Sequence, residues 1–190
     1  MIALLIAGAF SMLYSLLLTP VFIRIFNRLR WGQPIRVDGP KEHEVKRGTP
    51  TMGGIIFLSG SVLAYFVGKL LMGEDPSPSA LLVIFMALGA GLVGFIDDYM
   101  KTRKQNSAGL GGWAKIVGQI VIAVTFALLG LQFANENGVT PASTQISIFR
   151  DLPVDFMALV TVAGVLVFVV WVMIITTATT NAVNVTDGLD

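Results

Sequence analysis

The gaps between charged side chains constrain this chain more than any other feature. Residues 1–23, 48–68, 76–96, 116–135 and 156–186 contain no Asp, Glu, Lys or Arg, giving uncharged runs of 23, 21, 21, 20 and 31 residues. A helix advances about 1.5 Å per residue, so roughly 20 apolar residues cross the hydrocarbon core of a bilayer. Five runs reach that length. Composition agrees: 54% of the 190 residues are hydrophobic and 13% charged, whereas a soluble domain is about 25% charged. A β-barrel needs alternating segments of about 10 residues, and none is present. The absence of Cys removes disulfides and thiol chemistry, and a net charge of +1 predicts no nucleic-acid partner. The predicted fold is all-α, a polytopic membrane helix bundle in the lipid bilayer. It forms a single membrane domain over 1–190, with spans at about 1–23, 51–72, 79–96, 116–134 and 156–180.

Lys and Arg set the orientation. Residues 24–47 hold seven of them and 97–115 hold four, while the other connections hold only Lys69 and Arg150. By the positive-inside rule the loops 24–50 and 97–115 are cytoplasmic. The N-terminus is then outside, and five spans leave the last residue inside. The first span has no basic residues before it and is too long for a signal-peptide core, so it is expected to be an uncleaved anchor. The outer connections are a Pro/Ser turn at 73–79 and a longer loop at 134–153 with a turn at Asn137 and Gly138. No internal repeat is visible, so the inverted-repeat signature of transporters is missing.

Three segments carry polar chemistry at the cytoplasmic ends. In residues 43–54 (HEVKRGTPTMGG), Pro50 drives Thr49 towards an extended shape, and Gly53 and Gly54 permit close backbone approach. Thr51 is placed to cap the helix that follows, whose N-terminal N–H groups favour anions. With Lys46 beside it, this is a phosphate site; a basic loop with a helix cap accounts for the same residues. Asp97 and Asp98 end the third run, with Lys101 on the same helical side as Asp97. Two carboxylates there need cations or a metal to compensate them, and hard oxygen donors suit Mg²⁺ bridging to phosphates. An interfacial stop with an ion pair is the alternative. In residues 179–190, Asn181, Asn184, Asp187 and Asp190 recur every three positions. Neighbours in such a row share a helix face, and mixed carboxamides and carboxylates suit a ligand rich in donors and acceptors, such as a nucleotide. A helix end fraying into solvent would show no such regularity.

Span counting brings these segments to one membrane face. His43 has no partner His nearby and reads as a surface residue rather than a ligand. Gly89, Gly91 and Gly94 read as helix-packing positions. Residues 110–112 lack the strand and spacing of a nucleotide-binding loop.

Residues 46–54 (KRGTPTMGG), 97–101 (DDYMK), Gly109 and Leu110 with Lys115, and 181–190 (NAVNVTDGLD) resemble the polyprenyl-phosphate N-acetylhexosamine-1-phosphate transferases. The likeness runs in order and spacing from about Gln33 to the last residue. The run TPTMGG points within that family to the phospho-N-acetylmuramoyl-pentapeptide transferase branch, and Val185 stands where the family usually has Leu.

The resemblance implies an enzyme of the bacterial inner (cytoplasmic) membrane, active at the cytoplasmic face in peptidoglycan synthesis. It would transfer phospho-MurNAc-pentapeptide from UDP-MurNAc-pentapeptide to undecaprenyl phosphate, giving lipid I and UMP with Mg²⁺. Asp97 and Asp98 are then catalytic carboxylates and metal ligands. Lys46, Thr51, Lys101, Lys115, Asn181, Asn184, Asp187 and Asp190 are then substrate-binding. A homodimer is compatible with this reading. The third catalytic Asp of the family and its His-rich loop are not among these 190 residues. The chain is therefore expected to be an N-terminal portion, incomplete at its C-terminus and inert alone. Both substrates are anions, so Mg²⁺ and Lys would screen their repulsion. One Asp acts either as general base or as a nucleophile forming an aspartyl-phosphate. Two rival functions remain: a sister enzyme using UDP-N-acetylglucosamine, and a cation transporter, which predicts acids near the bilayer midplane instead.

Overall fold

The computed structural model describes residues 2–32, 50–104, 109–135, 138–147, 151–158 and 161–187. The helices are α1 (Ile2–Arg28), α2 (Gly54–Met72), α3 (Pro78–Lys104), α4 (Gly112–Gly130) and α5 (Thr161–Asp187). Two short strands, β1 (Gln145–Ser147) and β2 (Asp151–Asp155), and a 3-10 turn at Phe156–Ala158 lie between α4 and α5. All five helices are long and apolar enough to cross a membrane. The all-α membrane class is as expected.

Helix limits differ from the expected spans in an instructive way. The first runs to Arg28 rather than 23, the third to Lys104 rather than 96, and the fifth to Asp187 rather than 180. Backbone hydrogen bonding does not stop where apolar side chains stop, and long basic side chains let a helix continue into the interface. The fifth begins at Thr161 rather than 156 because the hairpin and 3-10 turn occupy the residues before it.

The chain divides into two compact units, Met1–Pro76 with Gly91–Lys115 and Ser77–Ala90 with Ile116–Asp190. In the first, α2 buries Ile56, Gly60, Ala64 and Gly68, a stripe of mostly small residues at four-residue steps. Such a stripe lets helices approach closely where lipid supplies no hydrophobic drive for association. A Cβ on Gly60 would stand 2.8 Å from Cδ1 of Tyr14 in α1, and one on Gly68 would stand 3.4 Å from the Ala3 carbonyl oxygen. The Tyr14 hydroxyl and Ser59 Oγ, 3.1 Å apart, add a hydrogen bond between these helices. Gly91 of α3 faces the Leu58 side chain. Beyond α1, Trp31 stacks edge-on against Phe95 and Tyr99 of α3. A bridge between Gly32 and Pro50 and the Thr51 N–H donated to the Trp31 carbonyl (3.2 Å) bring the two flanks of residues 33–49 together.

In the second unit α4 buries Gln119, Ala123, Ala127 and Gly130. Gly89 lies where a Cβ would meet Ile122 Cγ2 at 2.9 Å. Gly89 and Gly91 thus act as packing positions, whereas Gly94 has nothing within 4 Å of a Cβ. The connection at 134–153, expected to be a plain loop, holds the antiparallel β1–β2 pair, with Gln145 opposite Asp155 and Ser147 opposite Asp151. Pro153 is tolerated because each strand of a two-stranded ribbon is an edge. Asn137 lies outside the described residues, while Gly138 has φ +75° and donates its N–H to the Asn135 carbonyl. Phe156 then packs against Phe168 and Trp171 of α5.

Candidate active site

The continuation of α3 past the apolar run builds the site in the first unit. Asp97 and Lys101 fall one turn apart on its last turns, and the Lys101 ammonium lies 2.8 Å from Asp97 Oδ2 and 3.1 Å from Asp98 Oδ1. The chain then turns at Gly109, whose φ of +58° is left-handed. This turn aims the Leu110 N–H at Asp97 Oδ1, 2.8 Å away. Three residues into α4, Lys115 donates to Asp97 Oδ2 at 3.0 Å. One buried carboxylate therefore gathers two ammonium groups and a backbone N–H.

Burial separates the two acids. Asp97 is 2% exposed, and the side chain of Asp98 is 36% exposed. A carboxylate removed from water is stable only with matched opposite charge and filled lone pairs, which Lys101, Lys115 and Leu110 supply. Two carboxylates and two ammonium groups leave the cluster neutral overall. Each ammonium carries three N–H donors. Among the described residues Lys101 gives two and Lys115 one to these acids, so both retain capacity for an anionic ligand. Gly109 is required twice over: a side chain there would be left-handed, and its Cβ would press on Asp97 Oδ1 and lie 2.8 Å from Lys101 Cε.

Mg²⁺ holds one or two carboxylates and fills its shell with water and phosphate oxygens. Asp98 fits that role, being half in solvent with Lys101 on one oxygen. Asp97 does not fit as found, because its two oxygens already accept three donors. Among the described residues no three His, Cys, Asp or Glu side chains gather into a metal-holding group.

The other expected site residues divide as follows. Thr51 does not cap α2: the helix starts at Gly54 with Gly53 in the cap position and no side-chain cap bond. Met52, at φ +69°, swings the backbone out of helical course, so Thr51 sits too far upstream. Among the described residues its buried hydroxyl oxygen has no hydrogen-bond partner. Lys46, His43 and Asp190 lie outside the described residues, and Asp187 is the last residue of α5. Asn181 and Asn184 stand on α5 in the second unit, Asn184 exposed. Asn181 gives one amide N–H to Gln119 Oε1 (2.9 Å) and one to the Thr177 carbonyl (2.8 Å). Sequence reasoning overlooked Gln119, although a carboxamide inside an uncharged run is a signal in itself. It also gave Leu110 no role, and no side-chain chemistry announces a backbone donor.

Two family models match the chain. Glycosyl transferase family 4 covers residues 80–190, and signature 1 of the phospho-N-acetylmuramoyl-pentapeptide-transferases covers 46–58. Curated proteins named phospho-N-acetylmuramoyl-pentapeptide-transferase are similar along the whole chain. That of Clavibacter michiganensis subsp. michiganensis is 58% identical over 196 residues, covering 100% of this chain and 53% of the relative. That of Kineococcus radiotolerans is 50% identical over 188 residues, covering 98% and 52%. That of Streptomyces avermitilis is 45% identical over 186 residues, covering 98% and 50%. The chain spans about half the length of the curated relatives it matches. No solved structure matches it.

Proposed function

The chain belongs to glycosyl transferase family 4 and carries the phospho-N-acetylmuramoyl-pentapeptide-transferase signature, and on that premise we propose that its whole protein makes lipid I. The reaction moves phospho-MurNAc-pentapeptide from UDP-MurNAc-pentapeptide to undecaprenyl phosphate and releases UMP, at the cytoplasmic face of the bacterial inner membrane. The observation that carries this reading is the lysine pair held on buried Asp97 beside half-exposed Asp98, at the end of a membrane-length helix. The orientation rests on eleven of thirteen Lys and Arg falling in residues 24–47 and 97–115.

In the reaction an oxygen of undecaprenyl phosphate attacks the sugar-bearing phosphorus. The bond from that phosphorus to the bridging oxygen breaks, and its electron pair leaves with UMP. Two anions must meet, so cationic donors fixed in advance lower the barrier. Lys101 and Lys115 supply them, with Lys46 from the signature segment as a third. Asp98 takes the proton from undecaprenyl phosphate; it is also the carboxylate free to attack in a covalent route. Mg²⁺, held through Asp98, would screen diphosphate charge when bound. Asp97 holds the lysines, and Asn184, Asp187 and Asp190 line the nucleotide.

The test is UMP release by the full-length protein from UDP-MurNAc-pentapeptide and, separately, from UDP-N-acetylglucosamine. Release from the muramoyl donor that collapses in Asp98→Asn supports the reading. Release from the N-acetylglucosamine donor alone transfers the chain to the sister activity, and an unaffected Asp98→Asn removes the acid from the chemistry.

A further inference from the structure

Within the second unit two carboxamides meet between apolar helices. Gln119 lies in α4 and is 5% exposed, and its Oε1 accepts from Asn181 Nδ2 at 2.9 Å. The second N–H of that amide goes to the Thr177 carbonyl, so both donors of Asn181 are engaged inside the protein. Neighbouring hydroxyls behave differently: Thr177 and Thr180 bond carbonyls of α5 itself. A Gln buried in a membrane-length helix is costly unless paired, and this pair fixes the rotation of α5 about its axis. Asn184 is three residues further along the same unbroken helix, about 60° round from Asn181. At a side-chain radius of about 5 Å, a helix rotation of roughly 20° moves such a group by about 2 Å.

We infer that Gln119 is a positioning residue for the nucleotide row. It locks Asn181, and through it the rotation of α5, so that Asn184 is presented at one fixed angle. Asn181 then serves the helix pair and is not a nucleotide ligand. This rests on the proposed role of Asn184 and Asp187 in binding the nucleotide.

The test uses the full-length protein in detergent, with UMP as the titrated probe and UDP-MurNAc-pentapeptide for kinetics. Gln119→Leu should raise the Kd for UMP and the KM for the donor roughly tenfold or more, with kcat changed much less. The exchange variant, Gln119→Asn with Asn181→Gln, keeps the summed amide length and should return Kd to within about threefold of native. A general loss of stability would not produce that split between KM and kcat, nor that rescue. A folded Gln119→Leu with native Kd overturns the inference, provided Asn184→Ala weakens UMP. If Asn184→Ala binds UMP normally, the proposed nucleotide row itself fails and the inference falls with it. Should Gln119→Leu not fold, the exchange variant decides: folded with native Kd it supports the lock, folded without binding it overturns it.

Discussion

Replacing Gly109 by Ala tests the site at its most constrained backbone position. Its φ is +58°, and a left-handed conformation costs an L-residue about 1–2 kcal/mol. The new Cβ would also press on Asp97 Oδ1 and approach Lys101 Cε at 2.8 Å. Neither group can yield easily, because Lys101, Lys115 and Leu110 all hold Asp97. The turn must therefore lift, and the Leu110 N–H leaves the carboxylate. A hydrogen bond to a charged group contributes about 1.5–3 kcal/mol, so the closed turn loses about 2.5–5 kcal/mol in total. At about 1.4 kcal/mol per tenfold, the ceiling on the loss of kcat/KM is roughly 60- to 4,000-fold. The loop supplies a control, since a Cβ on Gly111 meets nothing within 4 Å. UMP release by full-length Gly109→Ala should fall at least tenfold, with a lowered melting midpoint, while Gly111→Ala stays within about twofold and melts close to native. Equal activity of the two variants would refute the argued contact between the turn and Asp97.

Other perturbations separate the remaining claims. Asp98→Asn should lower kcat by about 10²–10⁴ with an unchanged melting midpoint, whereas Asp97→Asn should lower the midpoint too, because two ammonium groups lose their shared negative charge; a native midpoint in Asp97→Asn would contradict its role as a buried clamp. Gly60→Ala should destabilise the protein by about 1–3 kcal/mol through overpacking, and Tyr14→Ala should absorb part of that cost in the double variant, measured by thermal melting in detergent; full additivity would argue against the Tyr14 contact. The chain has no Cys, so single cysteines report sidedness: Lys41→Cys and Lys104→Cys should resist an impermeant thiol reagent in intact cells, while Pro76→Cys and Val139→Cys should react. Labelling at position 41 from outside would reverse the topology.

The helices were legible because one quantity, the distance between charges, is set by bilayer thickness alone. Their limits were not, since Arg24, Arg28 and residues 97–104 remain helical beyond the apolar runs. The ribbon at 145–155 escaped notice for a different reason. A three-residue strand paired with a five-residue strand containing Pro153 has too few alternations to register as a period. Thr51 shows the limit of local rules: its residue type and place suit a helix cap, but one left-handed residue, Met52, displaces it from the position where a cap works.

The acid pair carries the same lesson into the site. Asp97 and Asp98 are chemically identical neighbours, yet adjacent side chains on a helix diverge by about 100°. One turns towards the Gly109 turn and Lys115, and the other stays half in water. The partners that decide this lie 13 and 18 residues downstream of Asp97, and one of them is a backbone N–H with no side-chain signature. Of the three donors on Asp97, only Lys101 at four residues was predictable from helical spacing. Without the other two, Asp97 would be an undercompensated charge at the end of an apolar helix, and the two acids would be interchangeable candidates for the chemistry. With them, both oxygens of Asp97 are engaged by donors, while Asp98 pairs with Lys101 through Oδ1 and its side chain is 36% exposed. The difference in environment between the two acids thus follows from long-range closure of a glycine turn rather than from the DD motif.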